Sequence, residues 1–128
     1  MNAVLKKLLY KEYTCNLILN EPEEFKVISK DISGEIHDEI SDKQYKFVLI
    51  FSKRLEVLKE DFKQLQQRID KASVLWVVYP KGASKKYKKE TDLSRDMLQP
   101  GLKDFGYEGV SLVSIDEDWS AMRFRVLE

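Results

Sequence analysis

The sequence predicts a mixed α/β fold built on a mostly parallel β-sheet. Two continuous apolar runs, KFVLIFS from Lys46 and VLWVVYP from Val74, are typical of strands that are covered on both faces. Between these runs, apolar residues recur at spacings of three and four, which predicts an amphipathic helix. A strand, a helix and a second strand at this distance form a right-handed crossover between two parallel strands.

The first part of the chain predicts shorter elements. Residues 2–12 have the pattern of a short amphipathic helix, with its apolar face at Val4, Leu5, Leu8 and Leu9. The segment TCNLILN, residues 14–20, predicts a first strand that stops at Glu21 and Pro22. The acidic residues 29–43 contain Gly34 and predict at most one short strand, around Ile36 to Ile40.

The second part predicts the longest elements. Ser52 can cap the central helix, whose apolar positions are Leu55, Leu58, Phe62, Leu65 and Ile69. A later helix runs through Leu98, and Pro100 with Gly101 is expected to interrupt it and to begin a separate short helix. Residues 109–115 and 121–127 predict a terminal antiparallel hairpin around the turn DEDWS. We expect residues 1–128 to form a single domain with a sheet of five or six strands.

Composition argues against several classes of function. The 22 basic and 22 acidic side chains cancel. Nucleic-acid-binding proteins usually carry a clear positive excess, so this function is not expected. The lone Cys15 and the lack of clustered Cys or His predict no disulfide and no metal site, and they favour a reducing cytoplasm. No apolar run approaches the roughly 20 residues that a bilayer requires. His37 is expected to be a surface histidine.

Residues 45–128 resemble a small bacterial family with a domain of unknown function, on the phrases LWVVYPKGASKK, TDLSRD and SIDEDWSAMRFR. That resemblance implies a shared fold and shared loops but no activity. The order of strands and helices is also similar to the back half of a Rossmann-type methyltransferase. This second resemblance implies that the first strand and the two long apolar strands lie side by side, in a three-layer Rossmann-like sheet. Ligands of such sheets bind outside the carboxyl ends of the strands.

The lysine loop, residues 81–89, follows the second apolar strand and is a candidate anion site. Lys81, Gly82, Ser84 and Lys85 can offer backbone N–H groups, a hydroxyl and two ammonium groups. The spacing differs from a P-loop, because no second glycine precedes a Lys-Ser or Lys-Thr pair. The alternative interpretation is a solvated loop whose lysines only aid solubility. Tyr87 among the lysines also allows base stacking, although the neutral net charge argues against it.

Acidic residues are expected at the same edge of the sheet. Asp116 and Asp118 lie in the hairpin turn, and either carboxylate could serve as a general acid or base. Alternatively, Asp92, Asp116 and Asp118 could form ion pairs with Lys81 or Arg95 that only position the loop. Trp119 is either a lid over a ligand or, more simply, an aromatic side chain that closes the end of the hairpin core.

These features favour non-catalytic binding of a small anionic or phosphate-bearing ligand at the carboxyl edge of the sheet. One alternative is an interaction module in which the acidic stretch Glu21 to Asp42 of one copy meets the lysine loop of another, giving a homo-oligomer. A second alternative is an enzyme that uses Asp116 or Asp118. We expect neither S-adenosylmethionine nor a dinucleotide as cofactor, because the turn after the first strand reads NEPEEF and lacks glycine.

Overall fold

The computed structural model describes residues 2–127, which form one six-stranded sheet with helices on both faces. The helices are α1 (Ala3–Lys7), α2 (Lys26–Ser29), α3 (Leu55–Leu65) and α4 (Arg95–Lys103), and two 3₁₀ turns cover Glu23–Phe25 and Gln66–Arg68. The strands are β1 (Cys15–Leu19), β2 (Glu35–His37), β3 (Phe47–Phe51), β4 (Val74–Pro80), β5 (Tyr107–Ser114) and β6 (Trp119–Val126). Within residues 2–127, no helix is long and apolar enough to cross a membrane.

The strand order is β2-β1-β3-β4-β6-β5. The pairs β1 with β2, β1 with β3, and β3 with β4 are parallel, whereas β6 pairs antiparallel with both β4 and β5. This arrangement confirms the predicted mostly parallel sheet, the side-by-side placement of the three apolar strands and the terminal hairpin. The short edge strand β2 lies within the acidic segment, close to where the sequence places it.

Each face of the sheet has its own hydrophobic core. Leu58, Phe62 and Leu65 of α3 and Leu98 and Leu102 of α4 cover one face. The other face packs against Leu5 of α1 and Leu8 just after it, and against Phe25 and Ile32 on either side of α2. All five residues of β3 are buried, as the continuous apolar run predicts for a central strand.

The N-terminal helix is shorter than predicted. It ends at Lys7, and Leu9 adopts a left-handed conformation with φ of 64°. Leu8 is therefore buried, whereas Leu9 is 42% exposed and does not join the predicted apolar face. The Trp76 indole N–H donates a hydrogen bond to the Leu8 carbonyl at 2.8 Å, which holds the end of this helix on the sheet.

The predicted break at Pro100 and Gly101 is wrong, because α4 is continuous from Arg95 to Lys103. Pro100 is exposed, so its ring lies away from the sheet, and it removes only one backbone donor from α4. Gly101 faces α3, where an added Cβ would lie 3.0 Å from Leu55 Cδ1. Glycine thus permits close approach of the two helices, and packing outweighs the local preference of the pair for a helix end.

The predicted cap of α3 is also wrong. The Ser52 hydroxyl donates to the Arg54 carbonyl at 3.1 Å and leaves the first helical N–H groups to other partners. The backbone N–H of Leu55 donates instead to Asp92 Oδ1 at 2.9 Å. A carboxylate from a distant loop therefore caps this helix.

Candidate functional site

The carboxyl ends of β1, β3 and β4 meet at one edge of the sheet, where three loops converge. These loops begin at Asn20, Ser52 and Lys81. The turn between β5 and β6 adds Asp116 and Asp118 to the same edge, since the Lys81 N–H donates to the Asp118 carbonyl at 2.8 Å. The edge predicted from the sequence is thus assembled as expected.

A partly buried carboxylate lies at the centre of this edge. The Glu24 carboxylate accepts hydrogen bonds from the Tyr87 hydroxyl and, at 3.1 Å, from the Trp119 indole N–H. The Tyr87 and Trp119 rings lie 4.8 Å apart, and Trp119 also contacts Phe51 edge to face at 5.2 Å. We call Glu24, Tyr87 and Trp119 the edge cluster. Trp119 is only 2% exposed and therefore belongs to the core rather than to a mobile lid.

The edge cluster holds the Glu24 carboxylate in its charged form. Burial by itself raises the pKa of Glu24, but the hydrogen bonds from Tyr87 and Trp119, a backbone hydrogen bond and the nearby Lys86 charge outweigh that effect. The pKa falls to about 2 as a result. Lys86 Nζ lies 3.4 Å from the carboxylate, so the acidic segment and the lysine loop meet within one chain.

The lysine loop folds back onto the protein. Ser84 is 1% exposed, and its hydroxyl donates to Asp118 Oδ1 at 2.7 Å. Lys81 Nζ donates to the Ser114 hydroxyl at 2.6 Å, while Gly82 and Lys85 remain exposed. Tyr87 is 7% exposed, so its ring is not available for base stacking. Two of the four predicted loop groups are thus engaged by neighbouring side chains.

Asp92 and Arg95 lie apart from the lysine loop. Asp92 caps α3 and lies 3.6 Å from Arg54, so its ion-pair partner is neither Lys81 nor Arg95. Arg95 begins α4 and lines a shallow cleft of about 240 Å³ beside Gln99 and strand β5. Its charge also acts on the Tyr79 hydroxyl, near the carboxyl end of β4.

Asp116 and Asp118 shape the hairpin turn. Asp116 Oδ1 accepts the backbone N–H groups of Asp118 at 2.8 Å and of Trp119 at 2.9 Å. Asp118 accepts the hydrogen bond from Ser84. Both carboxylates are therefore used to hold the turn and the loop together, which leaves a catalytic role without support from their surroundings.

An open cleft of about 260 Å³ lies beside the edge cluster, between the ends of β1 and β3. Its apolar lining consists of Phe51, Val57 and Trp119, and its polar lining consists of Asn20, Ser52, Lys53 and Arg54. We call it the edge cleft. The sequence alone places Trp119, Asn20 and the range from Ser52 to Arg54 at this edge, because they lie at or just after the ends of neighbouring strands or in the hairpin turn. Val57 lies inside α3 and had no such signal.

Asn20 shapes the wall of the edge cleft. It adopts a left-handed conformation with φ of 60°, which asparagine tolerates better than most residues. Its amide donates to the Phe51 carbonyl at 3.0 Å and to Asp61 Oδ2 at 3.3 Å, so it joins β1, β3 and α3. Burial raises the pKa of Asp61 more than this hydrogen bond lowers it.

The sequence matches no protein-family model and no curated protein, so the resemblance to a bacterial family of unknown function stays a prediction. Solved structures do share the fold. A SAM-dependent methyltransferase from Aquifex aeolicus gives a TM-score of 0.65 at 13% identity, with 97% of this chain and 88% of that chain covered. This chain shares its Rossmann-like fold with that methyltransferase.

Two further solved structures share this fold. A S-adenosylmethionine-dependent methyltransferase from Clostridium acetobutylicum ATCC 824 gives a TM-score of 0.58 at 6% identity and covers 97% of this chain and 88% of that chain. Mitomycin 7-O-methyltransferase MmcR gives 0.63 at 8% identity and covers 96% of this chain. This chain spans only 52% of the length of MmcR. Similarity at such low identities shows a shared fold, which does not by itself transmit a function.

Proposed function

We propose that this protein binds a small anionic ligand in the edge cleft and does not catalyse a reaction on it. The observation that carries the proposal is the cleft itself, which lies outside the carboxyl ends of β1 and β3 and is lined by two cationic side chains. This is where open α/β sheets take their ligands.

The charge around the edge cleft supports an anion. The Arg54 side chain is 61% exposed and lies 3.6 Å from a single Asp92 oxygen, so most of its donors face solvent. Lys53 lies 3.0 Å from Glu90 and is 36% exposed. The cleft also adjoins the first turn of α3, and a helix N-terminus favours negative charge. The Asp92 carboxylate already binds at this helix N-terminus, because it accepts a hydrogen bond from the Leu55 N–H.

The size and lining of the edge cleft constrain the ligand. A volume of about 260 Å³ is below the range of roughly 300–1,000 Å³ that holds drug-sized ligands and cofactors. Phe51, Val57 and Trp119 provide an apolar wall, so a suitable ligand combines one carboxylate or phosphate with a small apolar body. Trp119 forms one wall of the cleft, so the apolar body of the ligand would pack against its indole ring.

A thermal unfolding experiment tests this proposal, with inorganic phosphate and phenyl phosphate as probes. A ligand at 100 times its Kd stabilises the native state by about 2.7 kcal/mol, so the unfolding temperature should rise by several degrees. We expect phenyl phosphate to give the larger shift, and Arg54→Gln and Lys53→Gln to reduce it. Lys103→Gln, which changes an exposed lysine that lies in neither the edge cleft nor the lysine loop, is the matched control.

Other outcomes separate the alternatives. If Lys81→Ala removes the shift and Arg54→Gln does not, the lysine loop binds the anion and the edge cleft does not. If phenyl phosphate raises the unfolding temperature equally in the native protein and in all variants, neither the edge cleft nor the lysine loop is a specific anion site. Light scattering at low and high salt tests the interaction module: salt-sensitive self-association supports it, whereas a monomer under both conditions counts against it.

A further inference from the structure

Three metal-ligating side chains converge at the edge of the sheet formed by β1 and β2, away from the edge cleft. Cys15 Sγ lies 3.7 Å from His37 Nε2, and the same nitrogen lies 2.9 Å from Glu35 Oε1. All three ligand atoms lie within 4.8 Å of one another. The sequence analysis expected no metal site because these residues are not clustered along the chain.

The parallel pairing of β1 and β2 creates this arrangement. Cys15 pairs with Glu35 and Leu17 pairs with His37, so the three side chains project from the same face of the sheet. Gly34 permits the close approach of the two strands, because an added Cβ would lie 2.1 Å from the Tyr13 carbonyl oxygen. The cluster is thus built by backbone geometry rather than by flexible side chains alone.

The distances suit a tetrahedral ion. Zn²⁺ binds sulfur at about 2.3 Å and nitrogen or oxygen at about 2.0–2.2 Å, so neighbouring ligand atoms lie roughly 3.3–3.6 Å apart. The distance of 3.7 Å between Cys15 Sγ and His37 Nε2 is close to this range. The distance of 2.9 Å between Glu35 Oε1 and His37 Nε2 is shorter than this range, so ion binding requires the carboxylate to move away from the imidazole. The Glu35 side chain is 67% exposed and is free to make this movement.

A second set of contacts orients the imidazole. His37 Nδ1 lies 2.7 Å from the hydroxyl of Tyr45, a residue that is 0% exposed, and that hydroxyl lies 2.8 Å from Ser41 Oγ. An N–H at Nδ1 that donates to Tyr45 leaves the lone pair of Nε2 directed toward Cys15 and Glu35. Metal-binding histidines characteristically donate their other ring N–H in this way.

We propose that Cys15, Glu35 and His37 bind a divalent transition-metal ion of intermediate softness, with Zn²⁺ as the best match. One sulfur, one nitrogen and one oxygen ligand suit Zn²⁺ better than the hard ions Mg²⁺ and Ca²⁺, which prefer oxygen ligands. Three protein ligands leave the fourth tetrahedral position open to water or to an exchangeable ligand. This site is independent of the anion proposal, since it shares no residue with the edge cleft.

Cobalt titration of chelator-treated protein is the direct test. Cys15 is the only cysteine and His37 the only histidine, so a sulfur-to-cobalt charge-transfer band can come only from this site. We expect one Co²⁺ per chain, displacement by Zn²⁺, and loss of the band in Cys15→Ala. Tyr45→Phe should keep the band but weaken Zn²⁺ binding about 10- to 100-fold. Glu39→Gln changes a nearby exposed carboxylate and should behave like the native protein.

Two measurements remain decisive even if a variant folds poorly. In the native protein, Zn²⁺ should slow alkylation of Cys15, and the exposed change Glu35→Gln should reduce that protection. The proposal is overturned if native protein with stoichiometric Co²⁺ shows no charge-transfer band, or if Zn²⁺ leaves the alkylation rate unchanged. It is also overturned if Glu35→Gln and Glu39→Gln weaken Zn²⁺ binding equally, because the metal would then bind surface carboxylates without this geometry.

Discussion

The Glu24 carboxylate accepts a hydrogen bond from the Trp119 indole N–H, with 3.1 Å between Oε2 and Nε1, across 95 positions of the sequence. This contact joins the turn after the first strand to the start of the last strand. Because Tyr87 donates to the same oxygen, the contact also secures the lysine loop. A partly buried carboxylate therefore connects three of the four segments that form the carboxyl edge: the turn after β1, the lysine loop and the hairpin.

Glu24 should make stability depend on acid pH. Its pKa is about 2 in the folded protein against an ordinary 4.5, so the unfolded chain binds the proton more tightly. The stabilisation is complete above an ordinary glutamate pKa and is lost as pH falls through the window between 4.5 and about 2. With 28% of the side chain exposed, solvent screening limits the effect to about 1–3 kcal/mol.

Denaturant unfolding of native protein and Glu24→Gln over this window checks the prediction. The variant should be less stable near neutral pH and should lose less stability on acidification. Glu23→Gln is the matched control, because the Glu23 carboxylate is 87% exposed and pairs with Lys26 on the surface. Parallel pH profiles for native protein and Glu24→Gln would contradict the assigned role.

Asp92→Ala should destabilise the protein by about 1 kcal/mol, with a range of roughly 0.5–2. The change removes the acceptor for the Leu55 N–H and leaves the first turn of α3 without its cap. Glu117→Ala, an exposed acidic residue in the hairpin turn, is the control and should change the free energy of unfolding little. Equal losses in the two variants would show that the cap contributes nothing.

Calorimetric titration with S-adenosylmethionine, S-adenosylhomocysteine and NAD should show no specific heat of binding, despite the methyltransferase fold. The turn after β1 has no glycine to let its backbone approach a cofactor, and Pro22 lacks an N–H donor. Stoichiometric micromolar binding of any of these three compounds would contradict the prediction and would make an enzymatic function the better interpretation.

Gly34→Ala should destabilise the protein by several kcal/mol, or detach β2, because the added methyl group collides with the Tyr13 carbonyl oxygen. Gly82→Ala is a matched change in the lysine loop, where an added Cβ meets nothing within 4 Å. It should be neutral or slightly stabilising. Chemical denaturation of both variants provides the comparison, and a similar small effect of each would contradict the close approach of β1 and β2.

The strongest parts of the sequence prediction rest on local patterns. The apolar runs of β3 and β4 and the three-four spacing of α3 specify buried strands and a one-sided helix, and the crossover rule then makes the two strands parallel. These features determined the fold class and the position of the carboxyl edge. The turn composition after β1 likewise argued against a glycine-rich cofactor loop, since residue type alone limits the backbone there.

Only the tertiary structure decided which side chains meet. Pro100 and Gly101 are ordinary helix-ending signals, yet packing of Gly101 against Leu55 keeps α4 continuous. The composition of the lysine loop suggests a solvated, charged segment, yet Ser84 in that loop is buried and donates a hydrogen bond to Asp118. Cys15 and His37 are 22 residues apart, and strand register alone brings them within 3.7 Å. Patterns along the chain report periodicity and conformational preference, whereas contacts between distant residues depend on the free energy of the whole packed sheet, which no short segment encodes.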